Sequence, residues 1–154
     1  MTGPNPTDRA KSGTKRSMHT DGGGIPIGAT VAGANRPDLT LLADTLAATV
    51  IERPTPTVEA PQNLCLDAGY DNGPCRMIVE EAGLVAHIHS RKAEVVFKKT
   101  IPDYKARRWV VERVLSWINR FRKLLVRFEK LFATHYALLC LCCAYIAFKR
   151  ADLI

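Results

Sequence analysis

A chain of 154 residues, 47% of them apolar, can bury the core of one ordinary domain or most of one. Its 22 Lys and Arg against 15 Asp and Glu leave a formal charge of +7, which favours nucleic acid or an anionic surface as partner. Five cysteines, an odd number, behind a polar start punctuated by Pro and Gly argue against a secreted disulfide scaffold and for reduced thiols in a cytoplasm. The longest apolar run, Tyr136 to Phe148, is shorter than the ~20 residues of a membrane span and predicts a buried core helix.

In chain order, residues 1–16 carry almost no large apolar side chain and are expected to be an extended basic segment, set apart from a main domain over 17–150. A strand is expected from Ser17 to Thr20, a glycine turn at Asp21 to Gly24, and a returning strand over Ile25 to Ala32. The glycine run lacks the GK[ST] ending and the preceding buried strand of a phosphate loop. Asp38 is a candidate N-cap for a helix over Leu39 to Ile51, with Leu41, Leu42, Leu46 and Val50 inward. Glu52 to Gln62 carries three prolines and reads as a surface connection.

Asn63 to Leu66 predicts a short buried strand ending at Asp67. Asn72 to Ala82 predicts a helix closed by Gly83, and Leu84 to Ile88 a further strand. Together they read as β-α-β, the unit of a parallel sheet, and the expected class is α/β. His89 to Tyr104 is cationic and expected to be irregular. Arg107 to Phe128 predicts one long basic helix with Val111, Leu115, Ile118 and Leu125 on its inward stripe and Trp109 and Trp117 beside it. Leu131 to Lys149 predicts the final apolar helix.

Two carboxylates stand out for chemistry. Asp67 follows a buried strand and precedes a glycine turn, a common way to present an acid to a ligand. Glu112 is the lone acid among Arg107, Arg108, Arg113, Arg120, Arg122, Lys123 and Arg127. It is either a salt-bridged surface residue or a metal-binding acid whose surrounding cations face DNA. The 44 residues between the two acids suffice for a helix, a strand and a loop that returns Glu112 beside Asp67. Two such acids held together call for a cation between them, and Mg²⁺, or Mn²⁺, suits oxygen ligands and substrate phosphates. Asp71 is expected to cap the helix that follows it. Lys98, Lys99, Lys105, Arg107 and Arg108 form a cationic run suited to phosphate contact. Cys140, Cys142 and Cys143, with His135 nearby, read as small core residues rather than a zinc site, because no second ligand pair has the required spacing. His87 and His89 share one side of a strand, and Trp109 and Trp117 read as core.

Three segments carry a resemblance: GPNPTDRAKSGTKRSMHTDGGGIPIG at Gly3 to Gly28, LDAGYD at Leu66 to Asp71, and RRWVVERVLSWINRFRKL at Arg107 to Leu124. The chain resembles, over nearly its whole length, bacterial insertion-sequence transposases of the insertion-sequence-five group, within the DDE superfamily. That resemblance implies an RNase H-like fold with two long carboxy-terminal helices and a cut-and-paste DNA transposase using divalent metal. It makes Asp67 the second catalytic acid and Glu112 the third, both metal ligands. Arg108 matches the motif arginine that would orient Glu112 or hold a phosphate; from charge alone, Lys98, Lys99, Arg113, Arg120 and Arg122 are expected as further nucleic-acid contacts. Tyr104 lies one residue off the related signature, and Arg120 stands displaced from the basic position, which Asn119 occupies.

In the family the first acid lies on a strand upstream of the GPNPTDR segment, and neither Asp8 nor Asp21 matches its motif. The resemblance therefore implies a carboxy-terminal portion without the first strand, inactive alone, either a remnant or the second frame of an element that joins two frames by frameshifting. The partners it implies are double-stranded DNA at element ends and target, a homodimer and the product of an upstream frame, in the bacterial cytoplasm beside the nucleoid and without a membrane. The rival readings are a non-catalytic DNA-binding remnant and a basic interaction protein with no nucleic-acid role.

Overall fold

The computed structural model describes residues 2–89, 91–101 and 109–151. It divides into two compact units, Met1–Ile51 with Val110–Ile154, and Glu52–Trp109.

In the first unit β1 (Gly3–Pro4), β2 (Ser12–Thr20) and β3 (Pro26–Gly33) form an antiparallel sheet in that order. The β2–β3 hairpin is in register from Thr14↔Gly33 to His19↔Gly28 and slips at Thr20↔Pro26. The Asp21 carboxylate explains its turn: Oδ1 accepts the N–H groups of Gly23 (2.9 Å) and Ile25 (2.7 Å). β2 begins well before Ser17, so the later part of the expected basic segment is sheet. Its side chains stay half-exposed, which is why the apolar pattern missed it.

β3 is buried along nearly its whole length because both its faces are covered. A 3₁₀ turn (Asp38–Leu41) leads into α1 (Leu42–Ala47) on the face of Gly28 and Thr30, where Thr30 and Thr45 hydroxyls bond at 2.9 Å. A Cβ on Gly28 would stand 3.0 Å from the Thr45 carbonyl oxygen, so glycine lets the helix backbone close onto the strand. On the other face Ala29 and Val31 join Val114, Ile118, Leu124, Leu139, Cys142 and Ile146 in the core. Each larger side chain so buried contributes about 1.5–3 kcal/mol.

The helix expected over Leu39 to Ile51 is thus shorter. Leu41, Leu42 and Thr45 are buried, while Val50 is 85% exposed. The residue before the first turn is Pro37, and Asp38 makes no cap; it pairs with Lys15 at 3.1 Å.

The long helix expected over Arg107 to Phe128 is also broken. α4 (Trp109–Ile118) ends in a tight turn, and α5 (Arg122–Leu125) restarts from Phe121, which is extended. Asn119, a turn-favouring residue, spends its Oδ1 on the Arg16 guanidinium at 2.8 Å. Phe121 sets its ring edge-on to Tyr145, 5.8 Å between centroids. The inward stripe is Val110, Val114 and Ile118, with Val111 and Leu115 only half-buried. Past the break the phase resets, burying Leu124 and leaving Leu125 exposed.

α6 (Phe132–Arg150) is one-sided: His135, Leu139, Cys142 and Ile146 are buried, and Leu141, Tyr145 and Phe148 are exposed. Among the described residues it alone is long and apolar enough to cross a membrane by length and composition. Its buried stripe lies in the β3 core, and the Tyr136 hydroxyl bonds the Ala29 carbonyl at 3.0 Å. Of its cysteines only Cys142 is fully buried; Cys143 is half-buried and Cys140 exposed.

The second unit is the expected β-α-β: β4 (Asn63–Leu66), α2 (Gly73–Glu81) and β5 (Val85–Ile88), the strands parallel and in register from Asn63↔Val85 to Leu66↔Ile88. Leu64, Cys75, Val79, Leu84 and Ile88 are buried within it. Gly83, at φ +70°, turns the chain from helix to strand. The stretch expected to be irregular contains α3 (Arg91–Thr100), whose Ala93 and Phe97 are half-buried four residues apart. Apolar residues sit at helical spacing there, but the cations around them hid the pattern. Tyr104, Lys105, Arg107 and Arg108 lie outside the described residues.

Candidate functional site

Asp67 takes extended backbone angles directly after β4 and is exposed. Its carbonyl accepts the Tyr70 N–H at 2.9 Å, which closes the 3₁₀ turn Ala68–Tyr70. Because Leu66 pairs with Ile88, Asp67 leaves the sheet level with His89, at the carboxyl ends of two parallel strands. A Cβ on Gly69 would meet nothing within 4 Å, so the turn beside the acid is open. One face of this sheet carries Leu64 and Ile88 into the core. The other carries Asn63 and His87, bonded at 2.7 Å, and His89, edge-on to Phe97 at 5.1 Å.

Asp71 does not cap α2. Asn72 does: its Oδ1 accepts the Cys75 N–H at 3.0 Å, with Pro74 in the first turn. Asp71 instead grips the Arg76 guanidinium, Nη2 at 2.6 Å and Nε at 2.9 Å. Asparagine reaches the helix N–H because it stands one residue nearer, a shift that the Asp71-Asn72 pair conceals in the sequence.

In the first unit Glu112 is exposed in the first turn of α4 and has no ion pair or hydrogen bond among the described residues. The cations expected around it divide by role. The Arg113 guanidinium bonds the Gly23 carbonyl and lies 4.9 Å from the Trp117 ring centre. Gly24, at φ +84°, leaves room for it, since a Cβ there would stand 2.7 Å from Arg113 Nη2. Arg127 turns inward onto the carbonyls of Glu129 (2.9 Å) and Lys130 (3.4 Å). Arg120, Arg122 and Lys123 are exposed, as is Lys99 on α3. The Lys98 side chain and Arg108 lie outside what the structure describes.

Asp67 and Glu112 belong to different units, and each is described within its own. Among the described residues no three His, Cys, Asp or Glu side chains gather as a metal site. The donor chemistry nonetheless fits a hard divalent ion: both residues are accessible carboxylates. His135 with the α6 cysteines does not assemble one. Burial pushes the Cys142 thiol up to about 11 and the Cys143 thiol to about 12. Asp8 and Asp21 are both committed elsewhere, Asp8 3.6 Å from Lys11 in an exposed turn and Asp21 in the hairpin turn.

Comparison with known proteins matches residues 2–147 to the transposase DDE domain family. The chain is 36% identical, over 98% of its length and 72% of the other protein, to a transposase for insertion sequence element IS402 of Burkholderia cepacia. No solved structure matches it.

Proposed function

Because the chain belongs to the DDE-type transposases of insertion sequences, we propose that it is the catalytic portion of an enzyme that cleaves and joins DNA strands, with Asp67 and Glu112 as two of its metal-holding acids. The position of Asp67 carries this reading: an exposed carboxylate at the carboxyl end of a parallel strand, ahead of an open turn. The RNase H-like fold that the family implies suits an acid at such a strand end, while Glu112 stands in the first turn of α4. Bound divalent metal would activate a water or a 3′-hydroxyl and stabilise the leaving oxygen. The protein's share is to hold that metal through Asp67 and Glu112 and to align DNA phosphates with Lys98, Lys99, Arg120, Arg122 and, by the family pattern, Arg108.

By the resemblance, the family's first acid belongs to a strand ahead of the segment at Gly3, and we propose that it completes the site. Asp8 lies in an exposed turn beside Lys11, and the Asp21 carboxylate accepts the N–H groups of its own hairpin turn. An upstream frame would supply that strand, in a DNA-bound homodimer in the bacterial cytoplasm beside the nucleoid.

The test is a paired assay on labelled element ends with Mg²⁺ or Mn²⁺. Residues 1–154 alone should give no nicking or strand transfer, and a polypeptide extended by the upstream strand should give both. Nicking by the short chain that disappears in Glu112→Gln would mean the first acid lies within it. Duplex binding without nicking by the extended chain would favour a DNA-binding remnant.

A further inference from the structure

We propose that the aromatic and cationic face formed by Trp117 of α4 with Tyr145, Lys149 and Arg150 of α6 docks the phosphate backbone of duplex DNA. The inference rests on the DNA reading above and adds residues that reading does not use.

Trp117 is half-buried against the core, and two guanidinium groups approach its ring, Arg113 at 4.9 Å and Arg150 at 5.6 Å from the ring centre. Each such contact offsets only ~0.5–1 kcal/mol at an exposed site. Arg113 has a structural task as well, since it ties the hairpin turn to α4 through the Gly23 carbonyl. Arg150 has none. It is exposed, and no described carboxylate lies within ion-pair distance of it or of Lys149.

Lys149 repeats the arrangement, its Nζ 6.0 Å from the ring centre of Tyr145. That ring is 46% exposed and is held by Phe121. The surface therefore consists of aromatic rings fixed by packing, with cations laid over them and open to solvent. A stacked guanidinium keeps its N–H edges free for a phosphate, and its orientation is set in advance.

A simple helix-end role explains less. Cations in the last turn complement the helix dipole wherever they point, so that role calls for neither the stacking on Trp117 nor that on Tyr145. A polyanion meets both features. Its charge complements the cations on both rings, and its sugars can pack on the aromatic surface left exposed. The chain's +7 charge gives the same sign at longer range.

The experiment uses residues 1–154 carrying Trp109→Phe, which leaves Trp117 as the sole tryptophan of the original two. A short random-sequence duplex is titrated at several salt concentrations, following both affinity and Trp117 emission. Lys149→Gln with Arg150→Gln, which removes charge but keeps bulk, should flatten the slope of log K against log salt by about 1–2. It should also abolish the emission change. Arg120→Gln with Arg122→Gln should flatten the slope and leave the emission change intact. Circular dichroism confirms that each variant is folded. An unaltered slope and emission response in the Lys149/Arg150 variant, with duplex still bound, overturns this surface and spares the DNA reading. No salt-dependent binding by the parent chain overturns both.

Discussion

The His135 imidazole, 1% exposed, lies 3.9 Å from the Glu129 carboxylate, and neither ring nitrogen has a hydrogen-bond partner. Burial lowers its pKa, the nearby Arg127 and Arg16 guanidiniums lower it further, and Glu129 only partly opposes them. In the unfolded chain the imidazole takes up a proton near its ordinary pKa of ~6.5. Between that value and the lowered folded value the unfolded state holds more protons, so stability rises with pH there. Acidification from neutral pH should lower the melting temperature across that window. His135→Leu should remove part of the dependence; an equal dependence in the variant would assign it elsewhere.

In a polypeptide that carries the upstream strand, Asp67→Asn and Glu112→Gln should each lower metal-dependent nicking by ~10²-fold or more. Both side chains are exposed, so melting temperature and duplex affinity should hold. Full activity in either variant would remove that residue from the site.

At the start of α2, Asn72→Ala should cost ~1 kcal/mol in chemical denaturation. Asp71→Ala should cost about 0–1 kcal/mol, because its pair with Arg76 is about half exposed on both sides. The reverse ranking would restore Asp71 as the cap.

Thiol labelling at mildly alkaline pH should find Cys65 and Cys140 reactive, since both are exposed. Cys142 and Cys143, pushed up to about 11 and about 12 by burial, should label only as the protein unfolds, together with buried Cys75. Fast labelling of Cys143 in the folded protein would mean that the α6 packing opens readily.

The β4-α2-β5 unit was legible because each part follows a local rule: a short apolar run, helical spacing, a glycine stop. Asp67 was legible for the same reason, as the acid where the strand ends. The rest depends on contacts distant in sequence. β2 shows no apolar alternation because its strand character comes from pairing with β3. The break after Ile118 is set partly by Arg16, 103 residues from Asn119. No periodicity encodes such a partner. The cations around Glu112 read alike in sequence, yet Arg113 and Arg127 are held by backbone carbonyls while Arg120 and Arg122 stay exposed.

The first unit is assembled from both ends of the chain, and the Tyr136 to Ala29 bond that helps cover β3 spans 107 residues. During synthesis the hairpin leaves the ribosome long before the helix that shields it. Until α6 arrives, the most deeply buried strand among the described residues has one bare face. Such long-range closure slows folding, and the waiting strand is open to pairing with other chains. Yield in the cell should therefore depend on chaperone supply during translation more than on the final stability of the fold.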